Sequence, residues 1–148
     1  MARKKTTQPR KSPSKRRLGK YKSALEKECA DQLRLARVEF EYEKFEYVIQ
    51  DKFIYPSTYL KMTAKSKGLI DKSNKIVLNI KYTPDFVDPD ERWIIETKGY
   101  VRDGASFPLR WKVFMKWLID NNKSPHLFIV RNKKQIAEAV SKIKELLK

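Results

Sequence analysis

The chain has 148 residues, 41% of them hydrophobic, which is one domain's worth of sequence with enough apolar material for a single modest core. Its formal net charge of +16, from 34 Lys and Arg against 18 Asp and Glu, makes a polyanion such as nucleic acid the expected partner. One cysteine excludes a disulfide framework and a Cys-rich zinc site, and no apolar run approaches the roughly 20 residues of a membrane span, so a reducing, intracellular setting without a membrane partner is expected.

The charge is unevenly spread. Residues 1–22 hold ten basic side chains and no acidic one, leaving 24 basic against 18 acidic groups in the rest. This composition predicts a basic disordered tail over 1–22 and a single globular domain over 23–148. Lys4, Lys5, Arg10, Lys11, Lys15, Arg16, Arg17, Lys20 and Lys22 either contact DNA or merely solubilise the chain. No apolar signal-peptide core precedes Leu18.

Ser23-Ala24-Leu25-Glu26 has the S-x-x-E spacing of a capping box, and Leu25, Cys29, Leu33 and Ala36 recur every three or four residues. The pattern predicts a helix over about 23–37, with Cys29 as a small buried hydrophobe. Val38, Phe40 and Tyr42 then alternate with glutamates, and the alternation changes phase to Phe45, Tyr47 and Ile49. A bulge or break near Glu43-Lys44 accounts for the slip. Residues 50–75, interrupted by Pro56 and Gly68, read as an extended excursion ending in a hairpin across Asp71-Lys72-Ser73-Asn74.

Lys75 to Tyr82 is a second strand, stopped by Thr83-Pro84, and Trp93 to Lys98 a third, stopped by Gly99. Ser106 is the expected cap of a helix with Pro108 in its first turn and Leu109, Phe114, Trp117 and Leu118 as its buried stripe. Leu127 to Val130 is a short apolar strand with His126, a turn or core residue, before it. Asn132 opens a last helix striped by Ile136, Val140, Ile143 and Leu147. The order predicts an α/β fold with a mixed sheet flanked by helices.

The segment that carries chemistry is Pro84-Asp85, ten residues, then Glu96-Thr97-Lys98. In a strand Glu96 and Lys98 point the same way, about 6–7 Å apart, while Ile95 and Thr97 take the other face. Two charges at alternate positions of an apolar strand cost stability unless something compensates. Magnesium does so with one or two carboxylates, and it polarises a phosphate and acidifies a bound water. Lys98 then orients that water or offsets developing charge. An Asp–Lys–Glu network on an exposed strand face is the plainer alternative, because the spacing alone is a loose pattern.

Pro84-Asp85…Glu96-Thr97-Lys98 resembles the signature of the PD-(D/E)xK nuclease superfamily. More narrowly, Ser23-Ala24-Leu25-Glu26, Phe40-Glu41-Tyr42-Glu43, Tyr82-Thr83-Pro84-Asp85-Phe86 and Glu96-Thr97-Lys98-Gly99 are similar, in this order, to motifs of the phage endonuclease I family of Holliday-junction-resolving enzymes. The likeness covers about residues 20–100. It implies a restriction-endonuclease-like core, Asp85 and Glu96 as metal ligands, Lys98 assisting the attacking water, Glu26 completing the site from the first helix and Glu41 as a supporting acid. It also implies Mg²⁺ as cofactor, with Mn²⁺ able to substitute, branched DNA as substrate, and an intertwined homodimer. The setting it implies is the cytoplasm of a phage-infected bacterial host. Glu26 has a competing role in the capping box, and Glu41 one on the polar face of a strand. The stretch from Tyr47 to Tyr82, where the bridge between halves would lie, is longer than the family's.

Arg102 and Arg110, with Lys112 and Lys116, either face phosphate or form a solvated helix face. Trp111, Phe114 and Trp117 at helical spacing favour packing over base stacking. The expected activity is a magnesium-dependent, structure-selective DNA endonuclease. The alternatives are a duplex nickase or homing or restriction-type nuclease and, from another class, a non-catalytic basic DNA-binding or packaging protein.

Overall fold

The computed structural model describes residues 18–99 and 105–148. In chain order the elements are α1 (Ala24–Leu35), β1 (Glu41–Tyr42), β2 (Tyr47–Gln50), β3 (Phe53–Ile54), β4 (Leu60–Lys61), β5 (Ile70–Asp71), β6 (Ile76–Val77), β7 (Ile80–Tyr82), β8 (Phe86–Val87), β9 (Trp93–Thr97), α2 (Phe107–Asp120), β10 (His126–Val130) and α3 (Lys133–Leu146). The chain is a mixed α/β protein with a mixed sheet, and its contacts divide it into two units. Of the described residues, 18–38, 97–99 and 130–148 fall in the first and 39–96 and 105–129 in the second. Among the described residues no helix is long and apolar enough to cross a membrane.

The first unit rests on two helices. Ser23 caps α1, its Oγ accepting from Glu26 N at 3.1 Å. Glu26, Cys29, Ala30 and Leu33 are buried on one stripe; of the expected Leu25, Cys29, Leu33 and Ala36, Cys29 and Leu33 are buried while Leu25 and Ala36 are half-buried, so the stripe is turned toward Glu26 and Ala30. After Ala36, Arg37 adopts a left-handed backbone (φ 58°) that lets Val38 N reach back to Leu33 O, closing the helix end. Asn132 caps α3 through Gln135 N at 2.9 Å. Ile136, Ala139, Val140 and Ile143 form its buried stripe, and Leu147 falls at the C-cap instead. The two helices pack on each other, and Gln32 Nε2 donates to Lys133 O at 3.4 Å.

The second unit is built on the sheet β1-β8-β9-β10. Its first three strands are antiparallel, with Glu41 opposite Val87 and Tyr42 opposite Phe86, then Phe86 opposite Ile95 and Val87 opposite Ile94. Donation from His126 N to Arg92 O, just before β9, and from Lys98 N to Val130 O, just after it, advances along both strands together. β10 therefore lies parallel to β9, which makes the sheet mixed. Val87 and Ile94 share one face, and α2 covers them with Trp111, Phe114 and Leu118, joined by Tyr47, Ile49 and Tyr82. The stripe of α2 differs from the expected one: Leu109 is exposed and Trp111 is buried in its place. Ser106 makes no side-chain cap bond, and the proline in the first turn leaves one fewer amide to satisfy.

The phase slip after Tyr42 is a break rather than a bulge. Glu43 takes a left-handed backbone (φ 46°), donates its amide to Asp85 O at 2.9 Å, and the chain leaves the sheet. From Tyr47 to Tyr82 it runs as a nested antiparallel ribbon: β2 pairs with β7, β3 with β6 and β4 with β5. The hairpin expected across 71–74 does not form, because Ile70-Asp71 pairs back onto Leu60-Lys61 and the reversal lies between them. The expected strand over 75–82 is likewise divided between two partners, β3 and β2.

Asp88 closes the turn between β8 and β9. Its side chain is 1% exposed and accepts from Arg92 N at 3.0 Å, Nε at 2.6 Å and Nη2 at 2.9 Å. Burial pushes this carboxyl up, but the hydrogen bonds and charge of Arg92 outweigh it and hold the group below the usual carboxylate range. A group depressed in the folded state contributes stability above its unfolded pKa of about 3.9, and that contribution is lost as pH falls through the lower folded value. Asp88→Asn is expected to be less stable at pH 7 and to lose stability less steeply between about pH 5 and pH 2 than the wild type. Urea midpoints measured across that range check this; parallel curves would contradict it.

Candidate active site

The register of the sheet assembles the two expected carboxylates. Continuing the pairs Val87–Ile94 and Phe86–Ile95 by one step sets Asp85 across from Glu96. Directly paired residues of antiparallel strands project from the same face, and alternation puts this pair on the face that carries Val87 and Ile94. Asp85 and Glu96 are 8% and 3% exposed, so two buried acids continue the apolar face of Val87 and Ile94. Asp85 N approaches Glu96 Oε2 at 3.4 Å.

Tyr82 is the residue that holds Glu96, and sequence reading missed it. Its hydroxyl donates to Glu96 Oε2 at 2.6 Å. The ring lies 4.7 Å from Phe114 and 6.0 Å from Trp111, so α2 fixes where the hydroxyl points. Burial, then the charge and hydrogen bond of Glu96 and the charge of Asp85, push the phenol far above its ordinary pKa, with Arg110 opposing. Tyr82 therefore remains a donor at any working pH. The only signal in the sequence was its position three residues before Asp85, and spacing does not reveal a hydroxyl meeting a carboxylate fourteen residues further on. Tyr82→Phe keeps the ring and removes one donor from a buried carboxylate. The expected loss of unfolding free energy is about 1.5–3 kcal/mol, and a loss below about 0.5 kcal/mol in urea denaturation would show the bond to be inconsequential.

A second network steadies the far end of the same face. Tyr47 Oη donates to Glu91 Oε1 at 2.6 Å and Lys123 Nζ to Glu91 Oε2 at 2.9 Å. The Tyr47 hydrogen bond, with Lys123, holds Glu91 below its usual range against the effect of burial. The turn before β9 is thereby tied to the end of α2.

The remaining expected residues are more widely placed. Glu41 is half-buried on the edge strand, on the same sheet face as Asp85, and pairs with Lys44 at 2.7 Å. Glu26, in the first unit, is 9% exposed; its Oε2 accepts from Lys22 N at 2.8 Å, one residue before the cap, so only the Ser23 half of the capping box forms as expected. Lys98 is half-buried and lies in the first unit, held by its amide to Val130 O at 2.9 Å. Arg110 is exposed in the first turn of α2, close enough for its charge to act on Tyr82. Lys20 and Lys22 are exposed. Lys4, Lys5, Arg10, Lys11, Lys15, Arg16, Arg17 and Arg102 lie outside the described residues. His126 is exposed at the start of β10, while Cys29 is buried.

Among the described residues no group of three or more His, Cys, Asp or Glu side chains is placed to hold a metal ion. Magnesium asks for less: one or two carboxylates, with water and substrate oxygens completing the shell. Two neighbouring buried acids with a tyrosine donor on one of them meet that requirement. No family profile, curated protein or solved structure matches the chain.

Proposed function

We propose that the protein is a magnesium-dependent DNA endonuclease of the PD-(D/E)xK type, selective for branched DNA such as a four-way junction. The observation that carries this reading is the buried Asp85–Glu96 pair, set side by side where neighbouring antiparallel strands continue an apolar sheet face. Two adjacent buried carboxylates repel each other, and a cation held between them would stabilise the pair. Asp85 and Glu96 would hold that ion. When bound, magnesium polarises a phosphodiester and lowers the pKa of a water. Tyr82 keeps Glu96 in one rotamer, so its second oxygen has a fixed direction. Arg110, exposed beside Tyr82, is suited to a phosphate oxygen. Lys98, two residues along the chain from Glu96, is the group assigned to the attacking water.

A restriction-endonuclease-like core is part of the same proposal, supported by a mixed sheet that bears both acids at one end of neighbouring strands. So is a homodimer. The stem of the ribbon exposes Phe53, Ile54, Ile76, Leu78 and Ile80, the last two 78% and 40% exposed, and a second copy is the occupant that the resemblance to intertwined nucleases supplies. A non-catalytic DNA-binding protein has no use for buried carboxylates where phosphate approaches, which sets that reading behind. Comparing incision of a synthetic four-way junction with incision of linear duplex of the same sequence tests the substrate. Preference for the junction supports the proposal, and equal rates favour a nickase or restriction-type nuclease.

A further inference from the structure

The ribbon from Gln50 to Lys81 has no buried residue. Its outer part, 51–75, carries six lysines, two aspartates and no arginine. Pairing sorts them. Leu60 lies opposite Asp71 and Lys61 opposite Ile70, and the bond from Lys72 N to Tyr59 O at 2.8 Å extends the ladder by one row. Tyr59, Lys61, Ile70 and Lys72 therefore share one face, with Leu60 and Asp71 on the other. Asp71 is further occupied by its own turn, accepting from Ser73 N at 2.8 Å, and Ser73 holds its carboxyl below the usual range. Beside the lysine face is a depression of about 270 Å³ lined by Tyr59, Lys61, Lys72, Lys75, Ile76 and Val77. Three ammonium groups line it and no carboxylate does.

We propose that this face of the ribbon is a second nucleic-acid contact, in which Lys61, Lys72 and Lys75 hold backbone phosphates of a DNA arm against the depression beside Tyr59. It rests on the reading of DNA as substrate and adds a contact made by residues other than those of the carboxylate site. Lysine without arginine provides point charges rather than bidentate forks, so the contact positions the backbone and reads no bases. A two-stranded antiparallel ribbon is also a shape that the roughly 12 Å major groove admits. Asp71 projects from the opposite face, near enough to feel the charge of Lys75, and no carboxylate lines the depression itself.

The test uses the full chain in EDTA, with binding to a fluorescent four-way junction followed by anisotropy across a salt series. Replacing Lys61, Lys72 and Lys75 together by Gln is expected to lower the slope of log affinity against log salt by about 2–3, since each phosphate contact contributes about 0.9. Replacing the same three by Arg keeps the charge and is expected to keep the slope. An unchanged slope in the Gln protein overturns the proposal, as does an equal loss in the Arg protein, which would trace the effect to the fold rather than to charge. Loss of binding to phosphatidylserine vesicles with the DNA slope unmoved would assign the face to a membrane surface and overturn it too. A wild-type protein that fails to bind the junction removes the DNA reading itself. A wild-type protein that binds and cuts while the Gln variant keeps its slope removes only the ribbon contact.

Discussion

Glu96→Gln is expected to bind a four-way junction as tightly as the wild type in EDTA and to cut it at least about a thousandfold more slowly in magnesium. The size follows from the chemistry assigned to the pair. A bound divalent ion is worth several kcal/mol of charge stabilisation in the transition state, and each 1.36 kcal/mol is a factor of ten in rate. Removing one of two carboxylates while leaving the other forfeits most of that. Affinity on the proposed reading has a different source, the phosphate contacts of basic side chains, so loss of a buried acid is expected to leave it unchanged. The substitution should also fold: Gln retains an oxygen to accept the Tyr82 hydroxyl, which now reaches Glu96 Oε2 at 2.6 Å. Single-turnover cleavage and anisotropy on the same preparation separate the two effects. A variant that cuts within about tenfold of wild type would remove Glu96 from the metal site.

The second large effect concerns subunit sharing. If Glu26 completes a site whose Asp85 belongs to the other subunit, Glu26→Gln and Asp85→Asn chains are each inactive alone and regain cleavage when mixed. In the heterodimer both defects fall in one composite site, and the other is whole. The recovered product would be a nicked junction rather than a paired incision, because one site remains. Mixing must pass through unfolding and refolding, since intertwined chains exchange slowly. If Glu26 acts within its own chain, every site keeps one defect and no mixture recovers. Absence of recovery after verified heterodimer formation therefore rules out sharing, and a monomer at micromolar concentration in light scattering does so independently.

The parts of the fold that were legible in the sequence are those set by neighbours along the chain. The Ser23 cap, the Ile136, Val140 and Ile143 part of the α3 stripe and the change of phase at Glu43 are local, and each stands where composition and spacing place it. The carboxylates were legible for a related reason: an acid inside the apolar run Trp93–Thr97, and another following Pro84 just ahead of Phe86-Val87, are conspicuous whatever the topology. The ribbon was not, because its pairings nest. Ile76-Val77 chooses Phe53-Ile54 over the nearer Ile70-Asp71, and no dipeptide signals this. β8 escaped notice because only Phe86-Val87 lies between two aspartates, too short a run to show alternation. Leu109 was placed inward by periodicity alone, whereas the larger Trp111 takes that place against Tyr82. Tyr82 illustrates the limit most directly: its aromatic half is legible as core, and its hydroxyl acquires a role only once β7, β9 and α2 meet.

The most direct test of the central claim is incubation of the purified wild-type protein with a synthetic four-way junction in magnesium and, in parallel, in EDTA. The account predicts incision near the branch point in magnesium, leaving 5′-phosphate and 3′-hydroxyl ends, and binding without incision in EDTA. Junction bound but left intact in magnesium and in manganese alike would contradict it, and would leave Asp85 and Glu96 as structural acids in a DNA-binding protein.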